Sequence, residues 1–574
     1  MDMQQYFDAQ MRLLTQAGKE FAQQYPEHAG QLNIDALKDR DPHVERLLEG
    51  VAYMTAYTQK RLDESLPEVS EQVLRQVCPL MLSNYPSTTI MQFTPKMTMQ
   101  GATTVESGTQ ISSHGDKTTP VVCHFTTSTD TPIAPFEVYA VDYQEFHSGA
   151  KLSLKLKRLG QGVVSDYELK SLRFYLCGDT PLCASLYHLM TNASEHIEVS
   201  YGSHFDKLTQ LLPKSSVSSA FGHGEFGILP NSDQCHPGYA LLLDYFNSRE
   251  RFYFVELNNF HLLKFDANLN TLDIEITSQV KLPPGHKVSH ENIMLNCVPA
   301  VNLFACDAEP MRCLDNQTEY PITPIQEKSA EAFCFEVTEL KGKNRSSGES
   351  VDFQSRYTSV FEDEKHLYSL VSKDTGGAAP KVYVQISMDD IDAVQTLSAS
   401  TLAHNAVWPR QLLNEGDIHV PKANAPFALT MKNVIRPSKM LHCPKQQKHW
   451  LLIGLLNMRF SQLADPIQLK KLLALFDWSG RSENQSRIAS IVDAHSKPIS
   501  MLQKGVFVKG LEIHLTINEK QFVCLSDAYH FCDVLHQFFK LYAPINECLQ
   551  TKVTCVPSYH TWCWQISSGE SYQI

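Results

Sequence analysis

Four clusters in the 574-residue chain hold residue types able to do chemistry. Gly222-His223-Gly224-Glu225-Phe226-Gly227 fits G-x-G-x-x-G, a spacing that cradles phosphate when the third glycine opens a helix whose amides face the anion. Pro230 follows, then Asn231, Ser232, Asp233 and Pro237. No helix can start there, so a Gly-rich turn is the better reading. Cys548, Cys555, His560 and Cys563 offer thiolates and an imidazole for a tetrahedral zinc ion. Only the last pair has the spacing of a zinc knuckle, and Val553, Val556, Trp562 and Trp564 favour strands with buried thiols. Asp389, Asp390 and Asp392 can ligate a divalent ion, although such a cluster more often ends a strand or caps a helix. His290-Glu291 lacks the second histidine of H-E-x-x-H. No complete G-x-S-x-G, S-x-x-K or P-loop signature is present. The expectation is a non-enzyme with no catalytic, cofactor-binding or metal-ligating residues and no cofactor.

Composition describes a soluble, folded, multidomain chain and says nothing more of its role. A hydrophobic fraction of 43% with 20% charged residues describes an ordinary folded chain. The net charge of −13 argues against a dedicated nucleic-acid or anionic-membrane binder. Asp2, Asp8, Arg12, Lys19 and Glu20 interrupt the first turns and leave no signal-peptide core. Trp450 to Met458 is about half a bilayer span and runs into Arg459, so it reads as a buried element. Fifteen cysteines, an odd number without repeated spacing, read as reduced thiols. The chain is expected to be cytosolic. The four sequons at Asn192, Asn316, Asn344 and Asn484 then carry no glycan.

The elements fall into an α+β multidomain fold: an N-terminal helical segment, central antiparallel β-rich lobes and a C-terminal α+β domain. Tyr6, Phe7, Met11, Leu14, Ala17 and Phe21 recur at helical spacing. Asp41 and Pro42 start a second helix, striped by Val44, Leu47, Leu48, Val51 and Met54. Pro67 is placed to open a third, with Pro79 beyond it. From about residue 88 the period falls to two, as in Leu152–Leu156, Leu272–Ile276, Phe333–Val337 and Val382–Ile386. Short helices interrupt, for instance at Leu182–Met190; Lys341–Ser350 and Lys373–Pro380 read as loops or linkers. Arg436–Lys448 reads as a basic, solvated connection that can also meet an acidic partner. Asp465, Pro466 and Gln468 open a helix, Leu511–Ile517 form a strand, and Phe531, Val534, Leu535, Phe538 and Tyr542 stripe a helix ended by Pro544. The expected division is 1–87 helical, 88–325 β-rich with short helices, 326–445 a second β-rich lobe, and 446–574 α+β.

Longer strings carry a family resemblance. DPHVERLLEGVAYMTAYTQKRLDESLPE, Asp41 to Glu68, resembles the N-terminal signature of the TssF family (also VasA or ImpG), baseplate subunits of bacterial type VI secretion systems. EFAQQYPEHAGQL before it is similar to that family's lead-in. In the same order follow ESGTQISS with CHFTTSTDTPIAP (Glu106 to Pro135), GYALLLDYFNSRERFYFVEL (Gly238 to Leu257), CVPAVNLF (Cys297 to Phe304), GLEIHL (Gly510 to Leu515) and HFCDVLHQFFKLYAPIN (His530 to Asn546). Two departures stand out. Val298 replaces a threonine, and TLAHNAVWP (Thr401 to Pro409) keeps Asn405 and Pro409 but loses a basic-acidic pair between them.

The resemblance implies an architectural component. Its partners would be TssG, TssK, TssE and a VgrG-like spike hub, with two copies per wedge for one TssG. It implies a cytoplasmic location, docked at the inner-membrane complex without membrane insertion, and no nucleic acid. Bundle or partner-interface residues are expected among Tyr6, Phe7, Met11, Leu14, Leu47, Leu48 and Val51. The rival readings are a cytosolic β-rich hydrolase or metal-binding protein, and a carbohydrate-binding module with exposed aromatic platforms. Against the last, Phe252–Val255 reads as buried.

Overall fold

The computed structural model describes residues 3–24, 42–99, 101, 103–115, 121–160, 169–192, 194–202, 207–221, 227–230, 235–263, 269–314, 317–325, 332–356, 366–373, 380–386, 394–422, 424–443, 453–454, 460–503 and 506–571. The described α-helices are α1 (Met3–Gln24), α2 (Pro42–Val77), α3 (Thr180–Thr191), α4 (Pro237–Asn247), α5 (Trp408–Leu412), α6 (Pro466–Phe476), α7 (Ser482–Ala489) and α8 (Leu525–Tyr542). The chain divides into two compact units: Met1–Gln76 with Lys445–Gly454, and Val77–Pro444 with Leu455–Ile574.

The first unit is built on α1 and α2. Helix α2 begins at Pro42 as its sequence directs, where the missing N–H costs nothing. It runs 36 residues without a break, about 54 Å at ~1.5 Å per residue. No third helix opens at Pro67. The proline sits inside α2 and forfeits one backbone hydrogen bond, while Lys60, Arg61, Leu62, Glu64 and Leu66 before it, and Glu71 and Gln72 after it, favour helix strongly enough to carry the chain through.

The second unit alternates sheets with short helices, and nearly all strand pairs are antiparallel. A six-stranded sheet runs in the order Ile418–Pro421, Gln110–Ser113, His124–Thr127, Cys297–Val301, Thr88–Pro95, Leu429–Asn433. It mixes strands from the sequence blocks 88–325 and 326–445. An eight-stranded sheet does the same, gathering Phe304–Asp307, Met311–Arg312 and Glu319–Pro321 with strands from Phe333 to His404. Two asparagines hold the crossing between these sheets. Asn405 N–H donates to Asn302 Oδ1 at 2.7 Å, and Asn302 Nδ2 returns a bond to Asn405 Oδ1 at 2.8 Å.

Lys341–Ser350 is not a linker. Lys341–Asn344 ends the strand Phe333–Asn344, and the chain turns directly into the strand Ser350–Ser355. Gly342, which suggested a loop, is there for packing: a Cβ would lie 2.6 Å from Phe353 Cε2 and 3.0 Å from Val394 Cγ1. Of Arg436–Lys448, residues 444–448 lie outside the described residues; Arg436 is exposed, and its Nε and Nη2 donate to the Leu413 and Arg410 carbonyls. Of Lys373–Pro380, residues 374–379 lie outside the described residues, as do most of Trp450–Met458.

The C-terminal sheet comprises Ile491–Gln503, Val506–Asn518, Cys548–Val556, Thr561–Cys563 and Ser567–Ser568. Val506–Asn518 and Cys548–Val556 are parallel, which requires a crossover, and α8 supplies it. Asp465 caps α6 by accepting the Ile467 N–H at 2.8 Å. Gly510 lets two strands close: a Cβ there would sit 1.7 Å from the Cys548 carbonyl oxygen. The expected α+β class, with a helical N-terminus and several antiparallel lobes, is what the chain adopts.

Candidate functional site

Helix α2 presents two different apolar faces. Ala52 and Ala56, four residues apart, are fully buried, and small side chains of this kind allow close approach of a neighbouring element. Leu47, Val51 and Met54 recur at helical spacing on the other face and stand 70%, 46% and 70% exposed. Tyr53 and Tyr57 widen that apolar surface. Leu48 is half-buried, as are Tyr6, Phe7, Met11 and Leu14 on α1. The residues expected at a bundle or partner interface therefore separate into a half-sheltered set and an open stripe. Large contiguous apolar stripes in water mark interaction sites.

A second concentration of function-like residues lies inside the other unit, around α8. Its apolar stripe forms as expected, but the helix is buried on its polar side as well. Asp527 accepts from Arg249 and from Arg487, whose Nη2 lies 3.1 Å from Oδ2. Burial alone would raise the Asp527 carboxyl, but the two guanidinia outweigh it and hold it below the usual carboxylate range. Asp533 accepts from the Tyr187 hydroxyl and from Trp564 Nε1 at 2.7 Å. Burial raises its carboxyl above the ordinary value despite both donors. His530 Nε2 bonds the Phe252 carbonyl at 3.0 Å, and His536 Nδ1 meets Thr551 Oγ1 at 2.9 Å. Nearby, the buried Asp244 takes Arg251 and the Tyr85 hydroxyl, the latter at 2.8 Å. Asp527, His530, Asp533 and His536 thus tie α3, the 3-10 turn Arg249–Phe252, α7 and the C-terminal sheet to one helix. Sequence reasoning missed this seam. Its only local signal is the three-residue spacing of the four polar residues on a helix otherwise rich in aromatics.

The chemical candidates do not converge. Lys552 lies opposite Cys563, and Val553 opposite Trp562. Strand alternation then puts the fully buried Cys555 on one face of the sheet and the exposed Cys563 on the other. One ion cannot reach both. Among the described residues, no group of three or more His, Cys, Asp or Glu side chains is arranged to hold a metal. His290 and Glu291 lie in a short 3-10 turn closed by a Ser289–Asn292 capping box, on the wall of a cavity of about 320 Å³. Gly222–Phe226 and the Asp389, Asp390, Asp392 cluster lie outside the described residues. All fifteen cysteines are free thiols, most of them buried. Phe252–Val255 is buried, as its sequence indicates. Among the described residues, no helix is long and apolar enough to cross a membrane.

Comparison with known proteins decides the family. The type VI secretion system TssF family model matches residues 1–571. The chain belongs to the TssF family. Type VI secretion system component TssF1 of Pseudomonas aeruginosa is 24% identical over 615 aligned positions, covering 98% of each chain. A chain of a solved TssK-TssF-TssG baseplate subcomplex shares the fold at TM-score 0.80 and 22% identity, over 92% of this chain and 99% of its own. A chain of a second solved type VI baseplate complex gives 0.60 at 22% identity, over 98% and 99%. TssF membership makes this protein a structural component of a type VI secretion baseplate wedge.

Proposed function

We propose that this chain works as a purely architectural TssF subunit, in the cytoplasm, through assembly with TssG-, TssK- and TssE-like partners around a VgrG-like hub. Two copies join one TssG-like chain in each wedge, and the wedge docks on the inner-membrane complex through its TssK-like subunits. The observation carrying this reading is the open stripe Leu47, Val51 and Met54 on α2. An amphipathic helix laid into a partner's groove, or bundled with a second copy, covers a surface of this spacing. Leu48, Tyr6, Phe7, Met11 and Leu14 flank that contact as bundle residues. The work is differential binding, with interfaces that favour the extended sheath until the wedge changes shape. A role without catalysis is supported by the sealed titratable residues around α8, whose histidines are held neutral by burial.

The test is co-expression with the TssG-like partner, affinity purification and light-scattering mass. A complex near two to one is expected. Leu47→Ser with Val51→Ser should dissolve it while leaving the thermal melt of the isolated chain unchanged. A complex that survives the double substitution intact would move the interface elsewhere.

A further inference from the structure

We propose that His495 and His514 form a two-histidine site for a borderline divalent cation, of the Zn²⁺, Ni²⁺ or Cu²⁺ class, on the outer face of the C-terminal sheet. The two residues are direct partners across the antiparallel pair Ile491–Gln503 and Val506–Asn518. His495 Nε2 and His514 Nδ1 face each other at 3.2 Å. Metal–imidazole bonds of about 2.0–2.1 Å would place an ion between them at an N–metal–N angle of roughly 100°, close to tetrahedral.

The far side of each ring is already oriented as a ligand's is. His495 Nδ1 lies 3.5 Å from Asp493 Oδ2, and a carboxylate only accepts, so it draws the ring proton to Nδ1 and leaves Nε2 with a bare lone pair. His514 Nε2 lies 2.9 Å from Thr554 Oγ1, a hydroxyl that can donate or accept. Without a cation, His514 carries its proton on Nδ1 and bridges to His495, with Thr554 donating to Nε2. With a cation, the proton moves to Nε2 of the same ring and Thr554 accepts. Both facing nitrogens then offer lone pairs, and no proton leaves the site. A carboxylate and a hydroxyl fixing the tautomers of two ligating histidines is the outer-shell pattern of metal centres.

The charges around the pair offset one another. Lys552 and Lys497 act against a cation at His514, whereas Glu512 acts for it. The His495 side chain is 43% exposed, which leaves the remaining coordination positions to water.

The chain holds 23 histidines and 15 cysteines, so bulk metal uptake says little. The measurement is pulsed EPR of one equivalent of Cu²⁺ on the full-length protein, counting coordinated imidazoles, together with Ni²⁺ titration calorimetry. A copper signal with two imidazoles is expected, reduced to one in either His495→Gln or His514→Gln, with Ni²⁺ affinity falling at least about tenfold in each. Thr554→Val, which leaves both ligands in place, should keep the two-imidazole signal while weakening Ni²⁺ by about tenfold. Circular dichroism melts confirm that the variants fold. A single-imidazole signal in the unsubstituted protein, or Ni²⁺ affinity unchanged in both histidine variants, overturns the proposal.

Discussion

Asp527 sits between two guanidinia, and that arithmetic governs what a substitution there does. Arg249 and Arg487 are both more than nine-tenths buried, and they share its one carboxylate. Asp527→Asn keeps the shape but leaves two positive charges in a low-dielectric interior, at a cost of about 3–5 kcal/mol. Replacing Arg249, Arg487 and Asp527 together with Met, Met and Leu removes the charges as well as the bonds, and should cost far less. Urea unfolding of the single and triple variants checks this; a single substitution as mild as the triple one would mean the guanidinia reach water. Asn302 and Asn405 follow a similar logic without charge. Both are almost fully buried, and Asn302 Nδ2 also donates to the His124 carbonyl at 2.7 Å. Asn405→Ala removes the Oδ1 that accepts from Asn302 Nδ2 and from the His124 N–H, and should destabilise by about 1–3 kcal/mol. Adding Asn302→Ala should then cost less than it does alone, because the bond from Asn302 Nδ2 to Asn405 Oδ1 has already gone. This pair also gives a physical reason for Asn405 in a string that departs from the family pattern: the residue closes a junction between two sheets.

At the scale of elements, Pro67 is the informative case. It interrupts the hydrogen-bond ladder of a 36-residue helix, so Pro67→Ala should raise the stability of α2 by up to ~3 kcal/mol. The expected readout is a higher melting temperature for the helical signal; a lower one would show that the lost bond is offset by a bend the fold needs. Reading Pro67 as a helix start fails because a proline is equally compatible with the first turn and with an internal kink. Only the packing of the flanking turns decides between them. Gly342 and the polar residues around it mislead for a related reason: nothing local says that Phe353 will lie over the missing Cβ. By contrast, α1, the start of α2, α6 and α8 were legible, because their signals (a 3.6-residue period, an N-cap, a first-turn proline, a terminal proline) act within one or two turns. The seam along α8 was not. Asp527 finds Arg487 40 residues away and Arg249 278 residues away, and no local window contains them. The site residues on α2 were visible as a stripe, yet periodicity treats Leu47 and Ala52 alike. Which apolar face is buried in the chain itself and which is left open is set by tertiary packing.

For the whole molecule, the buried histidines set how the fold responds to acid. Burial pushes His188, His530 and His536 down to about 3, helped by His560, Arg249 and Lys540 respectively. His236 and His404 are pushed down to about 4, again by burial. All five are neutral in the fold, whereas the unfolded chain protonates them near ~6.5. Below that value the unfolded state binds more protons, so their contribution is fully present above pH ~6.5 and is lost as pH falls toward the folded values. Each can contribute at most roughly 2 kcal/mol between pH 6.5 and 5. Asp244 and Asp533 act in the other direction. Burial raises their carboxyls, so acid relieves a strain that the fold carries at neutral pH. Asp527, held low by its two arginines, sides with the histidines, but only once pH falls below the ordinary carboxylate range. Five histidines, against the raised carboxyls of Asp244, Asp533 and Glu336, make the net response destabilising. Urea midpoints should therefore fall steadily from pH 7.5 to 5, with far-ultraviolet and tryptophan signals moving together. His536→Gln keeps a polar partner for Thr551 but cannot titrate, so it should flatten the slope by about the share of one histidine. A midpoint independent of pH over that range would place these rings in contact with water, and the sealed core around α8 would have to be redrawn.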